Sequence, residues 1–184
     1  VADHEPIGDI DWVRKITSQR PRQTVSAAMI VGGKAAHETL HWCLAPMMQV
    51  ADELVVTDCG INPEARRVLD QYGARYVEGQ SPLEVGFEVP RNAGLAACRM
   101  DWIFMIDGDE KLLSPLSLWP YLRENIYHTY AVRQHHFAVD AGWRPDMPGR
   151  IFRRRPDDQG RTLRFIGKLH EHAEFEPNAG AGRS

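Results

Sequence analysis

Trp102-Ile103-Phe104-Met105-Ile106-Asp107-Gly108-Asp109-Glu110 decides how this chain folds. Five apolar residues in a row, without polar alternation, are the pattern of a short strand covered on both faces, as in a parallel sheet. The run stops abruptly at Asp107-Gly108-Asp109. Two carboxylates separated by one residue at a strand end can both reach a hard divalent cation, and the glycine admits a ligand close to the backbone. A cation held this way is usually completed by substrate phosphate oxygens and water. Asp and Gly are also ordinary turn residues, so position after a buried strand is what favours chemistry over a simple turn.

Working back from this stretch, the same grammar recurs. Thr24-Val25-Ser26-Ala27-Ala28-Met29-Ile30-Val31 is an apolar run closed by Gly32-Gly33, and Leu54-Val55-Val56-Thr57 stops at Asp58-Cys59-Gly60. Residues 74–77 form a third short strand candidate. Between the runs lie helices: Leu40, Leu44, Met47, Met48 and Ala51 recur at helical spacing. Asn62, Pro63 and Gly73 supply an N-cap, a first helical residue and a C-terminal cap around Ala65, Val68, Leu69 and Tyr72. Residues 90–100 read as a helix rich in small side chains. Strand and helix alternating in this way predict a parallel α/β sheet. Ligands bind such sheets beyond the carboxyl ends of the strands, where Asp58 and Asp107-Gly108-Asp109 both fall.

Working forward, Ser114-Pro115 opens a short helix through Leu122, and residues 130–139, 150–153 and 163–166 read as strands joined by loops bearing Pro and Gly. No linker or repeat interrupts the 184 residues, a length suited to one core. With 22 Lys and Arg against 25 Asp and Glu, the chain lacks the basic face that captures nucleic acid. Cys43, Cys59 and Cys98 are odd in number and widely spaced, which fits a reducing, cytoplasmic setting better than a disulfide framework. No apolar run approaches the ~20 residues that span a bilayer, and the opening Val1-Ala2-Asp3-His4-Glu5 is not a secretory leader.

Late in the chain, Ile166-Gly167-Lys168-Leu169-His170-Glu171-His172 brings imidazole and carboxylate together. Its spacing is not that of HExxH, so a two-histidine metal site is disfavoured and His170 is better read as a third ligand to a metal held elsewhere. His135-His136, Trp143-Arg144 and Arg154-Arg155 read as ordinary strand, loop and surface residues.

Taken in order, Met29-Ile30-Val31, residues 53–60, Arg91-Asn92, residues 101–110, Arg150-Ile151-Phe152-Arg153 and Gly167-Lys168-Leu169-His170-Glu171 resemble the family 2 glycosyltransferases of the GT-A fold. The resemblance covers about residues 24–172. It implies a Rossmann-like nucleotide-binding half with a mixed central sheet, and transfer of a sugar from a nucleotide-diphosphate donor, of UDP or GDP type, to an acceptor hydroxyl. It implies that Asp58 meets the base or ribose and that Val31, Arg91, Asn92, Gly108 and Arg153 border the donor. Asp107 would reach the ribose or the metal, with Asp109 and His170 as metal ligands; Glu171 would touch the acceptor or act as its base, a role for which Glu110 is the other candidate, and Asp109 would act in catalysis through the cation. Two carboxylates with an imidazole favour Mn²⁺ over Mg²⁺. The implied organisation is an arm at 1–23, a domain at 24–176 divided into a donor half (24–110) and an acceptor and metal half (111–176), and a flexible tail at 177–184. Gly32-Gly33-Lys34 and Ile61-Asn62-Pro63 depart from the family pattern where base and sugar would be read. A nucleotidyltransferase and a non-catalytic relative stay open as alternatives at this point.

Overall fold

The computed structural model describes residues 23–32, 37–124, 127–135, 146–168 and 171–177. The elements run β1 (Val25–Gly32), α1 (His37–Met47), β2 (Glu53–Cys59), α2 (Pro63–Gln71), β3 (Arg75–Glu78), α3 (Pro82–Val85), α4 (Glu88–Ala97) and β4 (Trp102–Met105). A 3-10 turn (Pro115–Leu118), α5 (Trp119–Glu124), β5 (Thr129–Ala131), β6 (Gly149–Arg153), β7 (Arg161–Ile166) and β8 (His172–Pro177) follow. Six strands form one mixed sheet in the order β3-β2-β1-β4-β6-β5. The first four are mutually parallel, β6 runs antiparallel to β4, and β5 antiparallel to β6.

The apolar run at Trp102 forms the expected strand. All four residues of β4 are buried, and the strand lies between β1 and β6. Its side chains divide by alternation. Trp102, Phe104 and Ile106 join Leu40, Cys43, Leu44 and Met47 of α1 and Ala65 and Leu69 of α2 on one face. Ile103 and Met105 join Phe152, Cys98 and Phe165 on the other. Those α1 residues sit at i, i+3, i+4 and i+7, one helical stripe, and all four are fully buried. Each such side chain contributes about 1.5–3 kcal/mol on leaving water, which makes α1 and β4 a rigid pair. On the opposite face Gly94 lets α4 settle on β2, since a Cβ there would stand 2.7 Å from Thr57 Oγ1.

Helix α2 starts where its cap residues place it, with Asn62 Oδ1 accepting from Ala65 N at 2.8 Å. Two expectations are corrected. The strand expected over residues 130–139 is short: β5 ends at Ala131, beyond which Val132 N donates to Pro148 O and Gln134 forms an isolated bridge to Asp146, and residues 136–139 lie outside the described ones. The last strands do not extend the central sheet either. β7 pairs with β8, a strand not expected from the sequence, in a separate hairpin whose Phe165 packs beneath α4. The arm at 1–22 and the tail from 178 also lie outside the described residues.

Candidate functional site

Strand order reverses between β1 and β4, because β2 and β3 lie on one side of β1 and β4 on the other. The carboxyl ends of these two strands are therefore where the ligand crevice of an open α/β sheet is expected. Asp107 lies two residues past the end of β4. Its loop is pinned to α1: Gly108 lies so close to Leu40 that a Cβ would stand 2.9 Å from Cδ2. Cys43 Sγ donates to Asp107 O at 3.5 Å. Burial first, then the charges of Glu110, Asp107 and Asp109, pushes that thiol up to about 12, so Cys43 is packing and not a nucleophile.

Five side chains from four segments form one charged network. Arg91 of α4 donates through Nη2 to Asp107 Oδ1 at 3.1 Å and through Nε to Glu171 Oε1 at 2.6 Å. Arg150 of β6 donates through Nη1 to Asp107 Oδ2 at 3.1 Å and pairs with Glu110 Oε1 through Nη2. Glu110 also accepts from Gln134 Nε2 at 2.6 Å and from Asp107 N at 2.9 Å. Burial, reinforced by the charges of Asp107 and Asp109, holds the Glu110 carboxyl above its ordinary range despite Arg150 and the Asp107 amide. Arg91 is itself buried, whereas Asp109 stands exposed beside the network.

The expected site residues divide accordingly. Arg91, Asp107 and Glu171 come together, with Gly108 and Asp109 on the adjoining loop. Asp107 accepts from one guanidinium group at each of its oxygens, Arg91 on Oδ1 and Arg150 on Oδ2. Asn92 clasps backbone instead, giving Nδ2 to Phe165 O and accepting from Phe165 N, each at 2.8 Å. Val31 turns its side chain into the core and lies level with Asp58 in the β1–β2 register, so only its backbone faces the crevice. Asp58 shapes the turn after β2, accepting from Gly60 N and Ile61 N at 2.9 Å each and pairing with Arg66. Arg153 is not at this end at all. It pairs with Trp102 at the start of β4 and stacks on that indole, its carbon centre 4.6 Å from the ring. Burial lowers its pKa from the usual guanidinium range. Because β6 runs antiparallel to β4, the arginine that reaches the carboxyl end is Arg150, about 10 Å further along the strand. His170 lies outside the described residues.

Among the described residues no three His, Cys, Asp or Glu side chains gather to hold a metal. With Asp107 and Glu110 engaged, the donor set there is the exposed Asp109 carboxylate. That set fits a cation completed by phosphate oxygens and water, and does not fit a preformed all-protein cage. Sequence reasoning missed Arg150 and Gln134 as site residues. The Arg150-Ile151-Phe152-Arg153 motif contained the first, but the strand's direction was needed to choose between its two arginines. No helix among the described residues is long and apolar enough to cross a membrane. The three cysteines are free.

No protein-family model matches the chain. Among curated proteins it is similar to a TPR repeat-containing protein of Synechococcus elongatus, with 33% identity over 153 residues, 80% of this chain and 34% of that protein. Among solved structures it is similar to glucosyl-3-phosphoglycerate synthase from Mycobacterium tuberculosis in complex with UDP. That match has 22% identity, 73% of this chain and 51% of that chain, and a TM-score of 0.49. The complex of the same enzyme with Mn²⁺, UDP-glucose and phosphoglyceric acid matches at 21% identity, 74% and 51% coverage, and a TM-score of 0.48. The chain thus spans about a third of the length of the curated relative and about half of these solved chains.

Proposed function

We propose that this chain is the catalytic domain of a metal-dependent glycosyltransferase of the GT-A type, similar to family 2, taking its sugar from a nucleoside-diphosphate donor. The observation that carries the reading is the placement of Asp107-Gly108-Asp109. The motif ends a fully buried parallel strand, at the point where strand order reverses, with two arginines drawn onto its first carboxylate. A structural turn would not need two inward-facing guanidinium groups at its first residue.

In this reading the nucleoside lies over the carboxyl ends of β1 and β2. Val31 offers backbone, and the Asp58 turn forms the wall of the base and ribose pocket. Asp107, oriented by Arg91 and Arg150, presents its remaining lone pairs toward the ribose. Asp109 and His170 hold a divalent cation, Mn²⁺ in preference to Mg²⁺ because of the imidazole. Such a cation, when bound, stabilises negative charge on the departing diphosphate. Arg91 and Arg150 hold the Asp107 carboxylate in place beside the same crevice, their own charges matched by Asp107, Glu110 and Glu171. Glu171 is occupied by Arg91 Nε, which supports it as the residue that holds that guanidinium ahead of a role as acceptor base.

A thermal-shift screen of UDP- and GDP-sugars, with and without Mn²⁺, tests the proposal. A true donor raises the melting temperature by binding the native state alone, about 2.7 kcal/mol at a hundred times its Kd. If no nucleotide-sugar shifts the transition with Mn²⁺ present, the donor assignment fails. Release of pyrophosphate in place of nucleoside diphosphate would instead support the nucleotidyltransferase reading.

A further inference from the structure

Helix α4 grips the segment after β7 through several independent contacts. Glu88, Arg91 and Asn92 stand at i, i+3 and i+4, on one helical face. Glu88 Oε2 accepts from Gly167 N at 2.7 Å, Asn92 clasps the Phe165 backbone on both sides, and Arg91 Nε reaches Glu171 Oε1 at 2.6 Å. Just ahead of the helix, Phe87 N donates to Lys168 O at 2.9 Å. Gly86, at φ 87°, lies so close that a Cβ would stand 2.9 Å from Lys168 Cα. Of these contacts, only the one through Arg91 continues to the other side of the crevice, to Asp107 at 3.1 Å. The third nitrogen of this buried guanidinium, Nη1, has no hydrogen-bond partner among the described residues.

We infer that Arg91 is a positioning residue that couples the acidic loop after β4 to the turn after β7, so that a nucleoside diphosphate engaging the crevice tightens both. The inference rests on the nucleotide-sugar reading for its ligand, but the coupling itself is a property of the free protein. A lysine cannot perform the task, because one ammonium does not span two carboxylates in the planar geometry of a guanidinium. A diphosphate that engages the Asp107 loop acts on the turn through this same guanidinium, which already joins Asp107 to Glu171.

Native-state hydrogen exchange at the Gly167 and Phe87 amides, read by NMR, tests this. Both amides bond across the joint between α4 and the turn. In the ligand-free protein Asp107→Asn, which touches neither amide, should speed their exchange about tenfold, as should Arg91→Lys. The double variant should be no faster than either single one, since directly coupled residues are not additive. If Asp107→Asn leaves both amides at the wild-type rate while Arg91→Lys speeds them, Arg91 is packing only and the coupling is refuted. Should the Arg91 variant fail to fold, Glu171→Gln breaks the same link from the other side and carries the comparison. UDP with Mn²⁺ is then added to the wild type. Slower exchange at Gly167 supports the inference, and calorimetric binding without such slowing overturns the ligand-driven part of it. Absence of any UDP heat counts against the nucleotide reading, and the ligand-free comparison still decides the coupling.

Discussion

Replacing Arg150 by methionine removes the guanidinium that spans Asp107 and Glu110. Its side chain is 16% exposed and gives one nitrogen to each carboxylate. Hydrogen bonds to charged groups contribute about 1.5–3 kcal/mol each. Asp107 is 34% exposed and Glu110 21%, so solvent screens part of the loss and the net cost is nearer ~2–3 kcal/mol than the sum of two full bonds. The pH dependence is distinctive. Glu110 already has its carboxyl raised, with burial the largest cause and Arg150 opposing it. Without Arg150 it rises further. A carboxyl raised in the folded state favours folding while protonated and loses that contribution as pH climbs through its folded value. The gap between Arg150→Met and wild type should therefore be widest near neutrality and narrow as pH falls below the carboxylate range, ~4. Urea unfolding followed by circular dichroism at both pH values measures it. Arg153→Met is the control from the same motif. It loses a stacking contact on Trp102 worth ~1 kcal/mol, offset by removal of buried Nε and Nη2 atoms that have no partner among the described residues, so its stability stays within about 1 kcal/mol of wild type. Arg150→Met should weaken UDP binding about tenfold or more, while Arg153→Met leaves it unchanged. The reverse pattern, or a stability gap that widens in acid, would refute the placement of the site at the carboxyl end of β4.

Three further outcomes are expected. Asp109→Asn should abolish Mn²⁺-dependent sugar transfer, whereas His170→Ala should weaken Mn²⁺ more than Mg²⁺. Metal affinity should also fall as pH drops through the imidazole range, ~6.5, and Mn²⁺ titration with donor nucleotide reads each effect. Cys43 and Cys98 should resist maleimide in the native protein at pH 8, because burial pushes both thiols up to about 12, and mass spectrometry showing rapid labelling of either would contradict their packing. Asp101 accepts from Thr24 N at 2.9 Å and Thr24 Oγ1 at 2.8 Å, joining the starts of β1 and β4, and the backbone bond is the main reason its pKa is lowered. Its contribution is present above the ordinary carboxylate range and lost as pH falls through the lowered value. Asp101→Asn should cost about 1 kcal/mol at neutral pH, with denaturation curves converging with wild type in acid; a constant difference would show that the carboxylate's charge is not involved.

What the sequence determined by itself is what local chemistry controls. The unbroken apolar run at 102–106, the cap residues around 62–73 and the acidic strand ends are each set by a few neighbouring residues, and the structure contains all of them. The position of Asp107 at a crevice followed from the alternation of strands and helices, because parallel connections leave few arrangements. Tertiary structure alone decided the direction of β6, and so the choice of Arg150 over Arg153. The motif reads alike either way, and reversing a strand exchanges its two ends without changing a residue. It alone decided that the last strands form a separate hairpin, because pairing is set by which backbone edge is free after the sheet is built. It also decided that Asp107 is held by two arginines, which lie 16 residues before it and 43 after it. Contacts across such separations depend on where helices and strands stack, and no local pattern records that.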